Sequence, residues 1–167
     1  DHVMRPIDAP ELRARVRNQL RRRRYQELLR ESLDRSLEMA ATDALTGLRN
    51  RRYVRRHLES LLRTGSTAAV LLLDVDRFKS INDQHGHAAG DAALKEVAAR
   101  LREHVRTVDI VARYGGEEFL VVMAGAAEEE AGAVAERLRA GIAERPVVLG
   151  RHLSAPITAS IGLAIAR

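Results

Sequence analysis

The sequence contains no cysteine, which excludes disulfides, zinc–thiolate centres and thiol nucleophiles. That fits a reducing compartment, and the chain reads as cytoplasmic. Aromatic residues make up only 3% of the 167 residues, so stacking platforms for single-stranded nucleic acid are scarce. The longest apolar run near the middle, residues 68–73, is far short of the roughly 20 residues that cross a bilayer. No membrane segment is therefore expected. The opening residues Asp1-His2-Val3-Met4-Arg5-Pro6 lack an apolar stretch followed by a small-residue cleavage site, so no secretory signal is expected either. Neither glycine nor proline interrupts residues 11–41, which leaves that segment free to form one long helix.

What is present is a 46% apolar composition, enough to bury a core in one domain of ordinary size. The formal net charge is +5. Residues 1–40 hold 10 Arg against 7 acids, a net +3, and residues 41–167 hold 18 Lys+Arg against 16 acids, a net +2. The basic excess peaks at Arg21-Arg22-Arg23-Arg24, inside a helical pattern with interspersed acids, and reads as a solvated helix face. A nucleic-acid partner is not required. Asp8-Ala9-Pro10-Glu11 looks like a helix start, with proline tolerated in the first turn and an early acid favouring the dipole. Leu12, Val16 and Leu20, then Tyr25, Leu29, Leu33 and Leu37, with Leu28 beside them, form a narrow apolar stripe. Such a rod, roughly 45 Å long at 1.5 Å per residue, needs a partner helix. A dimerising stalk is the expectation.

A loop at residues 42–50, with Gly47 and several capping residues, breaks the helix. A second helix carries Tyr53, Val54, His57, Leu58, Leu61 and Leu62 on one face. Residues 68–73 predict a short strand buried on both faces, running into Asp74-Val75-Asp76. A polar loop then leads to a helix whose core face is Leu94, Val97, Ala98, Leu101 and Val105. Strands are predicted over 109–114 and 118–123, joined through Gly115-Gly116, where glycine would supply the positive φ of a tight hairpin. A helix with Val134, Leu138 and Ile142 follows, then a β-rich run over 156–165. From residue 68 the order is β-α-β-β-α-β. The fold class is therefore α+β, a ferredoxin-like antiparallel sheet with helices on one face, preceded by a long N-terminal helix.

In that topology the first strand neighbours the one after the hairpin turn. Asp74 and Asp76 share a side at the end of the first strand, and Glu117 and Glu118 lie at the hairpin. Converging carboxylates repel unless a cation sits among them, and oxygen-only donors favour Mg²⁺ or Mn²⁺ over zinc. A cation so held commonly completes its shell with substrate phosphates, as in phosphoryl and nucleotidyl transfer.

Several segments together carry a family resemblance. Gly115-Gly116-Glu117-Glu118-Phe119, preceded by Arg113-Tyr114, resembles the signature of the GGDEF diguanylate cyclases. The run Asp43 to Arg52 resembles that family's opening motif, and Asp74-Val75-Asp76-Arg77-Phe78-Lys79 its metal strand. Ile81-Asn82-Asp83, Gly86-His87 and Gly90-Asp91 match its nucleotide loop, and Ser160-Ile161-Gly162 its last recognisable strand. Arg5-Pro6-Ile7-Asp8 and the long helix resemble the end of a response-regulator receiver. The resemblance implies two parts: 1–41, the end of a receiver-like domain and a helical stalk, and 42–167, a GGDEF catalytic domain lacking its C-terminal end.

The resemblance also implies a reaction: two GTP condensed into cyclic di-GMP with release of two pyrophosphates, in a homodimer brought together by the N-terminal helix and receiver region. Asp74, Glu117 and the Val75 carbonyl would hold Mg²⁺ or Mn²⁺. Glu117 would serve as base for the 3′-hydroxyl, with Glu118 supporting it. Gly115 and Gly116 would lie against phosphates, Asn82 and Asp91 would read guanine, and His87 and Lys79 would contact substrate. Arg106 and Asp109, with Arg137, match a product-inhibition site. Two other readings stay open: a GTP- or cyclic di-GMP-binding module without turnover, and a different nucleotidyl transferase on a similar palm.

Overall fold

A computed structural model describes residues 15, 17–28, 41–150 and 153–167. Residues 1–40 and 41–167 form two separate compact units. In the first, Arg15 and residues 17–28 are helical, and Leu20, Tyr25 and Leu28 are exposed. The other stripe residues expected there, and the receiver-like Arg5–Asp8 segment, lie outside the described residues.

The second unit is built on a five-stranded sheet. Its elements in chain order are β1 (Arg49–Asn50), α1 (Arg51–Arg63), β2 (Ala68–Val75), α2 (Phe78–His85), α3 (His87–Glu103), β3 (Ile110–Arg113), β4 (Glu118–Ala124), α4 (Glu128–Ala143), β5 (Val147–Gly150), β6 (Leu153–Ala155) and β7 (Ala159–Ala166). The sheet order is β1-β3-β4-β2-β7, and β5 and β6 form a separate antiparallel pair. Only the β1–β3 pairing in the large sheet is parallel; β2 pairs antiparallel with both β4 and β7. From β2 onward this is the expected ferredoxin-like arrangement, with a short edge strand added beside β3.

Alternation along the strands assigns each side chain to a face. Leu71, Leu73 and Val75 of β2 and Phe119, Val121 and Met123 of β4 point into the main core. There they meet Leu94, Val97 and Leu101 of α3 and Val134, Leu138 and Ile142 of α4. Leu120 and Val122 point the other way and pack with Ala68, Ala112 and Val54 of α1. The two long helices thus share one face, as expected, and α1 covers part of the opposite one. Its start is fixed by Asn50, whose side-chain oxygen accepts from the Tyr53 N–H at 3.0 Å.

Three expectations need correction. β2 is not buried on both faces, because Leu72 is 42% exposed; α1 reaches Ala68 but leaves the middle of that face open. The polar loop expected after Asp76 contains helix α2, in which Phe78 alone is fully buried and Ile81 packs beside the core. Gly115 and Gly116 do not take positive φ; the described glycines that do are Gly47, Gly65, Gly86 and Gly125. Gly115 instead leaves space for a neighbour. A Cβ there would stand 2.5 Å from Glu118 Oε2, so the glycine makes room for that carboxylate.

Arg100 gave no sign of itself in the sequence. It is 2% exposed on α3, inside the main core. Its Nη1 donates to the carbonyls of Ile142 (2.5 Å) and Arg145 (2.8 Å), its Nη2 to that of Pro146 (3.4 Å), and its Nε to Glu96 Oε1 (3.0 Å). The guanidinium therefore satisfies carbonyls at the end of α4, where the helix has no further N–H of its own to offer them. Arg100→Ala should cost roughly 2–4 kcal/mol, since it orphans those carbonyls and Glu96. Arg100→Lys should recover little of it, because an ammonium lacks the planar fork. Urea unfolding midpoints of the two variants check this.

Candidate active site

The carboxylates expected to act together are placed by strand register. Asp74 is the direct antiparallel partner of Glu118. One residue further, the Val75 N–H donates to the Glu117 carbonyl at 3.3 Å. Asp74, Glu117 and Glu118 therefore share one end of the β2–β4 pair. Asp74 is exposed and the two glutamates are half-buried. Among the described residues no three Asp, Glu or His side chains close into a preformed metal cluster. Asp76 lines the same concavity as Asp74, and its carboxylate accepts from Thr158 Oγ1 at 2.6 Å and Ser160 Oγ at 2.7 Å. Those two hydroxyls, Thr158 first, hold its pKa below the ordinary aspartate value.

The remaining donor set fits a hard divalent cation. Asp74 and the glutamates offer oxygen ligands at a solvent-accessible strand end, without sulfur or clustered imidazole. Beside Asp74 and Asp76 a concavity of about 680 Å³ opens between Arg77, Ser80, Ile81, Pro156 and Thr158. Arg77 holds a left-handed backbone, φ 56°, which lets the chain turn sharply from β2 into α2. Asn82, half-buried on α2, and Asp91, exposed on α3, are carried by two adjoining helices. His87, exposed, opens α3, and Lys79 is exposed on α2.

The hairpin turn is held by a residue that the sequence offered only as part of a motif. Arg113 donates from Nε (3.1 Å) and Nη2 (2.8 Å) to the Gly116 carbonyl. Its Nη1 reaches both Asp43 carboxylate oxygens at 3.3 Å. Asp43 also accepts from the Thr46 N–H (2.9 Å) and Thr46 Oγ1 (2.7 Å). The opening loop and the hairpin, 70 residues apart in sequence, are thereby joined.

The expected product-inhibition residues also come together, though in contact with one another. Arg106 pairs with Asp109 through Nη2–Oδ1 at 2.9 Å and Nε–Oδ2 at 3.1 Å. Its Nη1 meets Glu130 Oε1 at 2.8 Å. Arg137 donates from Nε (3.1 Å) and Nη2 (2.9 Å) to the carbonyl of His104, two residues before Arg106. A concavity of 560 Å³ beside this loop is lined by Arg49, Tyr53, Arg102, Arg106 and Asp109 among others.

Residues 40–167 match the family described as diguanylate cyclase, GGDEF domain, and the chain belongs to that family. It is 47% identical over 169 aligned residues to the response regulator PleD of Caulobacter vibrioides, covering 98% of this chain and 37% of PleD. It is 40% identical over 135 residues to diguanylate cyclase A of Treponema denticola, covering 76% of this chain and 36% of that protein. The chain thus spans little more than a third of these relatives. Among solved structures, the coiled coil and GGDEF domain of DgcB from Caulobacter crescentus, in complex with c-di-GMP, superposes with a TM-score of 0.74 at 29% identity, covering 93% of this chain and 83% of that one.

One consequence of the hairpin clamp is measurable. Burial alone would raise the Asp43 pKa, but the Thr46 hydroxyl and N–H and the Arg113 guanidinium outweigh it and hold the pKa below its ordinary value. A depressed folded pKa stabilises above the unfolded value, about 3.9, and that contribution is lost as pH falls through the folded value. Asp43→Asn should lower stability near pH 6 by roughly 1.5–3 kcal/mol. The gap to the parent should narrow below about pH 4. Urea titrations across that range check both; a gap independent of pH would contradict the assignment.

Proposed function

We propose that residues 42–167 are the catalytic domain of a diguanylate cyclase, which condenses two GTP into cyclic di-GMP and releases two pyrophosphates. The observation that carries this reading is the pairing of Asp74 with Glu118, with Glu117 bonded through its carbonyl to Val75. It brings residues of two motifs to one strand end, which supports the reading in a chain of the cyclase family.

In this reading Asp74, Glu117 and the Val75 carbonyl would hold Mg²⁺ or Mn²⁺, which would supply positive charge against the triphosphate. Asn82 and Asp91 bind the guanine edge. A carboxylate accepts from guanine N1–H and its exocyclic amine, whereas adenine presents an acceptor at N1, so ATP is rejected. Gly115 and Gly116 let backbone approach the phosphates, Glu118 supports the carboxylate pair, and Lys79 and His87 contact the nucleotide. The 3′-oxygen of one GTP bonds to the α-phosphorus of the other as the bond to the β-phosphate oxygen breaks. Glu117 takes the 3′-hydroxyl proton, and pyrophosphate leaves with the bonding electrons. The second, symmetric step closes the ring.

Because the product is two-fold symmetric and each domain holds one GTP, two domains must face one another. Residues 1–41 would be the end of a receiver-like domain and a stalk that joins two copies; the exposed Leu20, Tyr25 and Leu28 support that role. Among the described residues no helix is long and apolar enough to cross a membrane, and we place the reaction in the cytoplasm, where GTP is made. Arg106, Asp109 and Arg137 would bind product and slow the enzyme.

Incubation with GTP and Mg²⁺, with products identified by mass, tests the reading. Glu117→Ala should lower turnover by roughly 10²–10⁴-fold. Arg106→Ala should leave the initial rate near the parent's and raise the half-inhibiting product concentration roughly ten- to hundredfold. Full activity in Glu117→Ala would refute the assigned chemistry.

A further inference from the structure

Gly90 is buried on α3, one residue before Asp91. A Cβ at this position would fall 2.1 Å from Asn82 Oδ1, 3.0 Å from Asn82 Cγ and 3.1 Å from Phe78 Cζ. The first distance is far inside van der Waals contact, so the Asn82 side chain occupies the place where any other residue at 90 would put its first carbon. Glycine also weakens a helix relative to alanine, so its presence inside α3 has a local cost. Its φ is not positive, so backbone conformation does not demand it.

The elbow between the helices explains the closeness. The Gly86 N–H donates to the Asn82 carbonyl at 2.8 Å, closing α2, and the Gly90 N–H donates to the Gly86 carbonyl at 3.3 Å, opening α3. Gly86 has φ 82° and lets the chain reverse between them. The end of α2 is thereby set against the first turns of α3. Asn82 lies over Gly90, while Asp91 follows on the same helix.

We infer that Gly90 is a positioning residue for base recognition: its missing side chain is the seat of the Asn82 amide and fixes Asn82 relative to Asp91. The inference rests on the reading of Asn82 and Asp91 as the guanine-binding pair. The atom at closest approach is the end of a short, rotatable side chain. Adding a methyl group at 90 should therefore displace Asn82 rather than break the fold. The effect should appear in binding of the base and spare binding of the phosphates.

The test is a cycle of Gly90→Ala, Asn82→Ala and the double variant. Melting temperature and equilibrium binding of GTP and of inorganic triphosphate, both with Mg²⁺, are measured for each. Gly90→Ala should weaken GTP binding tenfold or more, leave triphosphate binding within about twofold, and melt within a few degrees of the parent. In the double variant the overlap is gone, so it should bind GTP no more weakly than Asn82→Ala alone. Parental GTP affinity in Gly90→Ala, equal losses for GTP and triphosphate, or multiplied losses in the double variant would each overturn the inference. If Asn82→Ala itself bound GTP as the parent does, the reading of Asn82 as a base-binding residue would fall, and the inference with it.

Discussion

The antiparallel pairing of β2 with β4 is the constraint on which the site depends. Side chains in a sheet alternate between faces, so a one-residue slip would send Leu71, Leu73 and Val75 out of the main core. The register that buries those residues also sets Asp74 opposite Glu118 and brings the Glu117 carbonyl to the Val75 N–H. Core packing and carboxylate placement are consequences of a single alignment. The sheet does not need favourable contacts among the acids to bring them to one strand end.

What the sequence reveals follows the strength of its periodicity. α3 and α4 were legible because they repeat apolar residues at helical spacing, and β2 and β4 because they are short continuous apolar runs, of which β4 is buried along most of its length while β2 exposes Leu72. Helix α2 was not, since Phe78-Lys79-Ser80-Ile81-Asn82-Asp83-Gln84-His85 has only Phe78 and Ile81 to bury and is otherwise polar. The β5–β6 pair is too short to carry a pattern. Arg100 was invisible for a different reason: a buried arginine is identified by the distant carbonyls it meets, and those of Ile142, Arg145 and Pro146 lie more than forty residues away.

The site was legible as a set of motifs and not as a set of contacts. Spaced motifs named Asp74, Asn82, Asp91, Glu117 and Arg106, and topology placed the carboxylates at one strand end. The partner of each motif residue came only with the structure. Asp76 proved to be held by Thr158 and Ser160 and not aligned with Asp74 in a metal cluster. The two hairpin glycines were expected to serve φ, whereas Gly115 serves Glu118. The positive-φ expectation fails at both glycines, whereas the demand for space stands at Gly115.

The two arginines that bracket β3 show how similar ion pairs acquire different duties. Arg113, at the end of the strand, is enclosed between Asp43 and the Gly116 carbonyl, and its loss would free the turn that carries Glu117. Arg106, before the strand, divides itself between two acids of unequal character. The Asp109 side chain is 2% exposed, whereas that of Glu130 is 48% exposed. Removing the partner of a buried carboxylate leaves a charge without solvation, but an exposed carboxylate is rehydrated at little cost. An anion brought to Arg106 would therefore displace Glu130 far more readily than Asp109. Asp109 holds the guanidinium from a buried position, and Glu130 meets it from an exposed one.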